Sequence, residues 1–121
     1  MRTTSFFSSL GLALIAVAAL AVTQALAATD APDAGATLYQ NKCAACHGLT
    51  GMGSVGPAFA GNARLEDSLH VADALVNGFG RMPAFGANVT DEDLALVASY
   101  IRSTWGNGFG PMTAEDFAAR R

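Results

Sequence analysis

Cys43-Ala44-Ala45-Cys46-His47 is the stretch on which the reading of the whole chain turns. Two thiols on one helical turn, followed at once by an imidazole, form the C-x-x-C-H pattern of a c-type haem attachment site. The thiols can add to the two vinyl groups of the haem, and the imidazole is then presented to the iron. The cysteine pair alone is less decisive, because thioredoxin-like redox sites, zinc sites and plain disulfides share its spacing. A structural zinc site needs four Cys or His ligands, whereas the chain has two cysteines and two histidines, with His70 in an unrelated segment. A thioredoxin-like site needs a preceding strand, yet the residues from Asp33 to Lys42 read as helix. A disulfide is the plain alternative in an exported protein. It leaves His47 without a role.

A second stretch, Arg81-Met82-Pro83-Ala84-Phe85-Gly86, carries a methionine that could offer a thioether sulfur to the opposite face of the same iron. Pro83 biases Met82 toward extended backbone, which suits a loop holding a side chain over a site. Core filling is the competing role for a methionine. Together the two stretches resemble a small class I c-type cytochrome of the bacterial monohaem kind, and the resemblance covers nearly all of the chain after its leader. It implies an all-α fold of three core helices wrapped around one covalently attached haem c. Cys43 and Cys46 would be the thioether residues, and His47 and Met82 the axial iron ligands. His/Met ligation raises the reduction potential.

The resemblance assigns further residues. The proline of a Gly-Pro pair lends its carbonyl to the ligand imidazole, here Gly56-Pro57, which fixes the tautomer that leaves the other nitrogen for iron. Phe59 would line the haem face. Gly35 and Tyr39 match a glycine and an aromatic that pack against an aromatic of the last core helix, here Tyr100. Residues 100 to 107, Tyr-Ile-Arg-Ser-Thr-Trp-Gly-Asn, look like the ending of cytochromes that serve periplasmic dehydrogenases or terminal oxidases. The implied function is therefore electron transfer, not enzymatic catalysis. The implied partners are a dehydrogenase or respiratory complex on one side and an oxidase or reductase on the other.

The leader reads directly. Arg2 is its only charge, Leu10 to Val22 is an unbroken run of apolar and small residues, and Ala25-Leu26-Ala27 fits a cleavage site. The run is shorter than the roughly 20 residues that span a bilayer, so residues 1–27 are expected to be a signal peptide and residues 28–121 the periplasmic domain. A chain this short buries only about two thirds of its surface, and a haem would supply missing apolar core. The formal charge of −3 becomes one unit more negative when Arg2 leaves, which makes nucleic acid and anionic membrane poor partners. A monomer touching membranes only through partner complexes is expected.

Along the chain, Thr29 to Pro32 reads as a lead-in, and Asp33 as the cap of a helix over 34–47 that stops at Gly48. Glycines 48, 51, 53, 56 and 61, with Pro57, predict an irregular wrapping loop. Met52 in that loop is a rival ligand without a fixed position. A second helix is predicted over 67–77, opened by Asp67 or Ser68, with Leu69, Ala72, Leu75 and Val76 on its apolar face and Gly78 as its stop. His70 falls off that face and is expected to be exposed. Thr90 and the acids Asp91-Glu92-Asp93 predict a third helix over 91–104, burying Leu94, Val97, Ala98, Ile101 and Trp105. Asn88-Val89-Thr90 matches a glycosylation sequon, but Thr90 is already needed as a cap. Residues 108–121 form a tail with a short helix starting near Thr113.

Two other functions fit parts of this pattern. A haem enzyme or gas sensor would keep the sixth iron position open, and no acid or base beyond the remote His70 is at hand for such chemistry. A subunit that docks inside a larger complex would use the tail from Gly108 onward.

Overall fold

A computed structural model describes residues 30–121; the expected signal peptide lies outside the described residues. Five α-helices follow one another: α1 (Asp30–Lys42), α2 (Ala44–His47), α3 (Ser68–Asn77), α4 (Asp91–Ser103) and α5 (Ala114–Ala118), with a 3-10 turn at Ala63–Glu66. Among the described residues there are no named strands, only an isolated bridge between Phe79 and Met82. The all-α expectation holds. No helix among the described residues is long and apolar enough to cross a membrane.

α1 begins at Asp30, inside the Thr29 to Pro32 stretch expected as a lead-in and ahead of the expected Asp33 cap. It nearly continues into α2. Cys43 interrupts helical geometry at φ −119°, but the amide of Cys43 still donates to Tyr39 O at 2.9 Å and that of His47 to Cys43 O at 2.9 Å. The predicted 34–47 helix is therefore one helix bent at the first cysteine. It ends where predicted, at Gly48, whose φ of 81° suits a residue without Cβ.

One close backbone contact sets α1 against α4. A Cβ on Gly35 would stand 2.7 Å from Leu96 O and 2.9 Å from Tyr100 Cβ, so the helices touch through backbone at this point. One turn on, Tyr39 is 1% exposed and meets Tyr100 with ring centroids 5.7 Å apart, as the family resemblance implies. α4 is capped by Thr90, whose Oγ1 accepts from Asp93 N at 3.2 Å. It buries Leu94, Val97, Ala98 and Ile101 at helical spacing. Trp105 lies beyond the helix end, not on that stripe. Its left-handed backbone (φ 55°) turns the indole under Gly51, and it is only half-buried.

α3 starts at Ser68 with Asp67 as cap, its Oδ1 accepting from His70 N at 3.1 Å. Its buried face is Val71, Ala72, Leu75 and Val76. Leu69, expected on that face, is 61% exposed, because its side chain in the first turn projects beyond the core and Val71 occupies the inner position.

The tail packs onto the main fold. Met112 is 5% exposed and Phe117 is fully buried among the core residues. Thr113 and Asp116 close a capping box at the start of α5. Ser99 on α4 accepts from Met112 N at 2.9 Å, and α5 lies against both α3 and α4.

Candidate functional site

The glycine-rich loop after α2 folds back over the end of that helix. Gly53 N donates to His47 O at 2.9 Å and Gly56 N to Cys46 O at 2.8 Å, which brings Gly56 and Pro57 onto the histidine ring. His47 Nδ1 pairs with Pro57 O at 2.8 Å. A carbonyl can only accept, so Nδ1 carries the proton and Nε2 keeps its lone pair. His47 is 7% exposed. Gly56 leaves it room: a Cβ there would fall 2.7 Å from Cε1 and 3.1 Å from Nε2. Phe59 covers the ring by stacking, centroids 4.0 Å apart and planes 17° apart.

Met82 reaches the site from the loop after α3. Phe79 and Met82 exchange backbone bonds, Met82 N to Phe79 O at 2.9 Å and Phe79 N to Met82 O at 3.2 Å, making a tight turn. Gly78 has φ 81°, and a Cβ on it would stand 2.7 Å from Met82 O, so the turn closes over a residue without a side chain. Phe85 N to Leu75 O at 2.9 Å and Gly86 N to Val76 O at 3.1 Å tie the outgoing end to α3.

Cys43, Cys46, His47, Pro57, Phe59 and Met82 all line one cavity of about 290 Å³, with apolar walls that include Val71, Leu75, Phe85 and Ile101. All six sequence-predicted site residues thus meet in one place. Met52 and Met112 do not line it: Met52 is 68% exposed and Met112 is core. His70 differs from expectation. It is half-buried, lines the cavity and meets Phe79 edge-on at 5.5 Å, because α3 turns that side toward the cavity mouth. Lys42, Arg64 and Arg81 also line the cavity, with no carboxylate among the lining residues.

The two cysteines are unpaired, Cys43 buried and Cys46 exposed. Burial, reinforced by Cys46 and partly offset by Lys42, pushes the Cys43 thiol up to about 11. A redox-active C-x-x-C cysteine needs the opposite shift. Among the described residues no group of three or more His, Cys, Asp or Glu is placed to hold a bare metal ion. A haem fits this donor set: two thiols, one imidazole nitrogen with a free lone pair and one thioether, around an apolar cavity.

Two residues that support the site have no signal in the sequence reading. Asn107 is 7% exposed, and its Nδ2 donates to Phe59 O at 2.9 Å and Ile101 O at 3.0 Å, pinning the Phe59 loop to α4. Arg102 is 5% exposed, and its Nη2 donates to Phe109 O at 2.7 Å and Glu66 O at 3.3 Å. It joins the tail and the 3-10 turn to α4. Asn107 sits between glycines and reads as a turn, while Arg102 reads as a last-turn cation; only the packed fold shows that both point inward.

Comparisons with known proteins agree with this geometry. Residues 30–101 match the family model described as cytochrome c oxidase, cbb3-type, subunit III. The chain is 32% identical over 83 residues to cytochrome c6 of Gracilaria tenuistipitata var. liui, covering 64% of this chain and 76% of that one. It is 32% identical over 117 residues to the gluconate 2-dehydrogenase cytochrome c subunit of Pantoea cypripedii, covering 83% of this chain but only 26% of that relative's length. The crystal structure of cytochrome CL from Methylophaga aminisulfidivorans MPT shares the fold, with a TM-score of 0.57 at 21% identity over 84% of this chain and 73% of that one. The chain therefore belongs to the c-type cytochromes, as a small class I member whose cofactor is haem c and whose work is electron transfer, not catalysis.

Proposed function

We propose that this chain is a periplasmic carrier of single electrons, with one haem held covalently by Cys43 and Cys46 and ligated by His47 Nε2 and Met82. The observation that carries the proposal is the meeting of two distant stretches, 43–47 and 82–83, at one apolar cavity. The haem, when bound, supplies a one-electron iron couple, and a His/Met pair raises its potential. The protein's own residues do the rest. Pro57 O keeps the proton on Nδ1, Phe59 and Gly56 fix the ring plane, and Pro83 with the Phe79–Met82 turn holds the sulfur. The apolar walls bury Cys43 and His47, while Cys46 stays exposed.

Export follows from the leader, with residues 1–27 removed and 28–121 forming the working domain. The relatives named as cytochrome subunits of gluconate, alcohol and fructose dehydrogenases favour a dehydrogenase as electron donor. A terminal oxidase or reductase would be the acceptor. The exposed side chains near the cavity mouth, Val55 and Phe79, offer an apolar centre for brief docking of a monomer. Haem colour that stays with the polypeptide through denaturation and acid extraction is the expected result for two thioethers; a colourless chain would refute them. Met82→Ala should lose the weak sulfur-to-iron absorption band of the oxidised protein and lower the potential while keeping haem bound. Retention of band and potential would refute Met82 as ligand.

A further inference from the structure

The tail from Met112 to Arg121 holds both ends of the loop that carries Met82. At the entry, Asn77, the last residue of α3, donates from Nδ2 to Arg120 O at 3.2 Å. At the exit, Arg121 reaches three groups. Its Nη1 donates to Gly86 O, its Nη2 to Val89 O at 3.0 Å, and its Nε to Asp91 Oδ1 at 2.8 Å. Among the described residues no other donor reaches the carbonyls of Gly86 and Val89. The tail is itself anchored well away from the loop, by buried Met112 and Phe117 and by the Met112–Ser99 bonds.

We propose that this tail is a latch on the Met82 loop, with Arg121 as its positioning residue. The inference rests on the reading of Met82 as an iron ligand. A loop closed by a four-residue turn has few bonds of its own, and its opening frees the sulfur without unfolding the helices. Loosening either end raises the population of the open loop and so favours an external ligand competing for the same position. An exposed Arg–Asp pair by itself contributes little. The guanidinium matters here because its planar fork spans two carbonyls and a carboxylate together, which an ammonium cannot do.

The test uses the oxidised holoprotein and imidazole as the competing ligand, following the sulfur-to-iron band together with amide exchange at Phe85 and Gly86. Arg121→Gln should lower the imidazole midpoint by about three- to tenfold and speed exchange at those two amides, while amides of Leu94 to Ile101 keep wild-type rates. Arg121→Lys should fall between Gln and wild type. Asn77→Ala, at the other end of the loop, should shift the midpoint in the same direction and serves if Arg121→Gln folds poorly. Val97→Ala, a core change remote from the latch, should lower the melting temperature without moving the midpoint. An unchanged midpoint and unchanged exchange in both latch variants, with the band present in wild type and absent in Met82→Ala, would overturn the latch and leave ligation standing. An equal shift in Val97→Ala would overturn it too, since the effect would then be global. A wild-type band that survives Met82→Ala would remove Met82 as ligand, and the latch with it.

Discussion

Gly35→Ala isolates the contact on which the helix packing depends. Alanine should help α1 taken alone, since glycine costs about 1 kcal/mol relative to alanine inside a helix. The new Cβ, however, would stand 2.7 Å from Leu96 O and 2.9 Å from Tyr100 Cβ. Neither atom is the far end of a flexible side chain, so α1 and α4 must move apart. Separation would open the contacts of Tyr39, which is 1% exposed and packs against Tyr100. Overpacking of this kind costs about 1–3 kcal/mol, and the separated surfaces lose further dispersion contacts. The clash should therefore outweigh the propensity gain by about 1–2 kcal/mol, which lowers the melting temperature by roughly 5–15 °C in a domain of this size. Gly35→Val should cost more. Gly108→Ala is the control, because its Cβ would meet nothing within 4 Å, and it should stay within about 0.5 kcal/mol of wild type. Thermal unfolding of the holoprotein followed by far-ultraviolet circular dichroism measures all three. A Gly35→Ala protein as stable as wild type, or more so, would show that the helices do not depend on close backbone approach here.

Three further outcomes are expected. Burial, with smaller contributions from Cys43 and Tyr100, raises the Tyr39 phenol from 10.0 to about 12; between those values the unfolded chain releases a proton that the folded chain keeps, so stability is whole below pH 10 and falls as pH rises through 12. Denaturant midpoints across that range should show the fall, and Tyr39→Phe should flatten it while losing about 1 kcal/mol at neutral pH for the missing bond to Gly48 O. Asn107→Ala removes one buried and one part-buried bond and strands the Ile101 carbonyl, while Phe59 O keeps the Asn62 amide, so urea unfolding should show a loss of about 1–2 kcal/mol; a change under about 0.5 kcal/mol would mean that the Phe59 loop needs no such tie. Electron exchange with a partner dehydrogenase or oxidase, measured by stopped flow, should slow less than about tenfold between low and physiological salt, because an apolar contact with only a thin rim of Lys42, Arg64 and Arg81 steers weakly.

The site was legible in the sequence wherever its chemistry depends on local spacing. Cys43, Cys46 and His47 share one turn, Gly56-Pro57 lies within reach of the His47 ring, and Pro83 marks the conformation of Met82. All of them line or border the same cavity. Helix starts at Asp67 and Thr90 were legible for the same reason, since a cap is a bond between near neighbours. What escaped depends on partners far along the chain. The Asn107 amide bonds Phe59, 48 positions away, and nothing beside Asn107 announces it. Burial of Arg102 depends on the carbonyls of Glu66 and Phe109, and the tail docks because Met112 and Phe117 find room against α3 and α4. Leu69 was misplaced because helical spacing gives the apolar stripe but not how far the core extends under the first turn.

The grip on His47 bears on how fast charge can move. The imidazole is held by the Pro57 carbonyl at its edge, by Phe59 on one face and by the bare backbone of Gly56. When a centre bonded to Nε2 gains or loses one electron, its preferred bond length and ring orientation change slightly, and a loosely held ring would drift to meet the new preference. This ring has almost nowhere to drift. With iron bound at Nε2 as proposed, the ring's own share of the rearrangement at each transfer would be small in both directions, and a partner would need to hold the protein only briefly for the electron to cross.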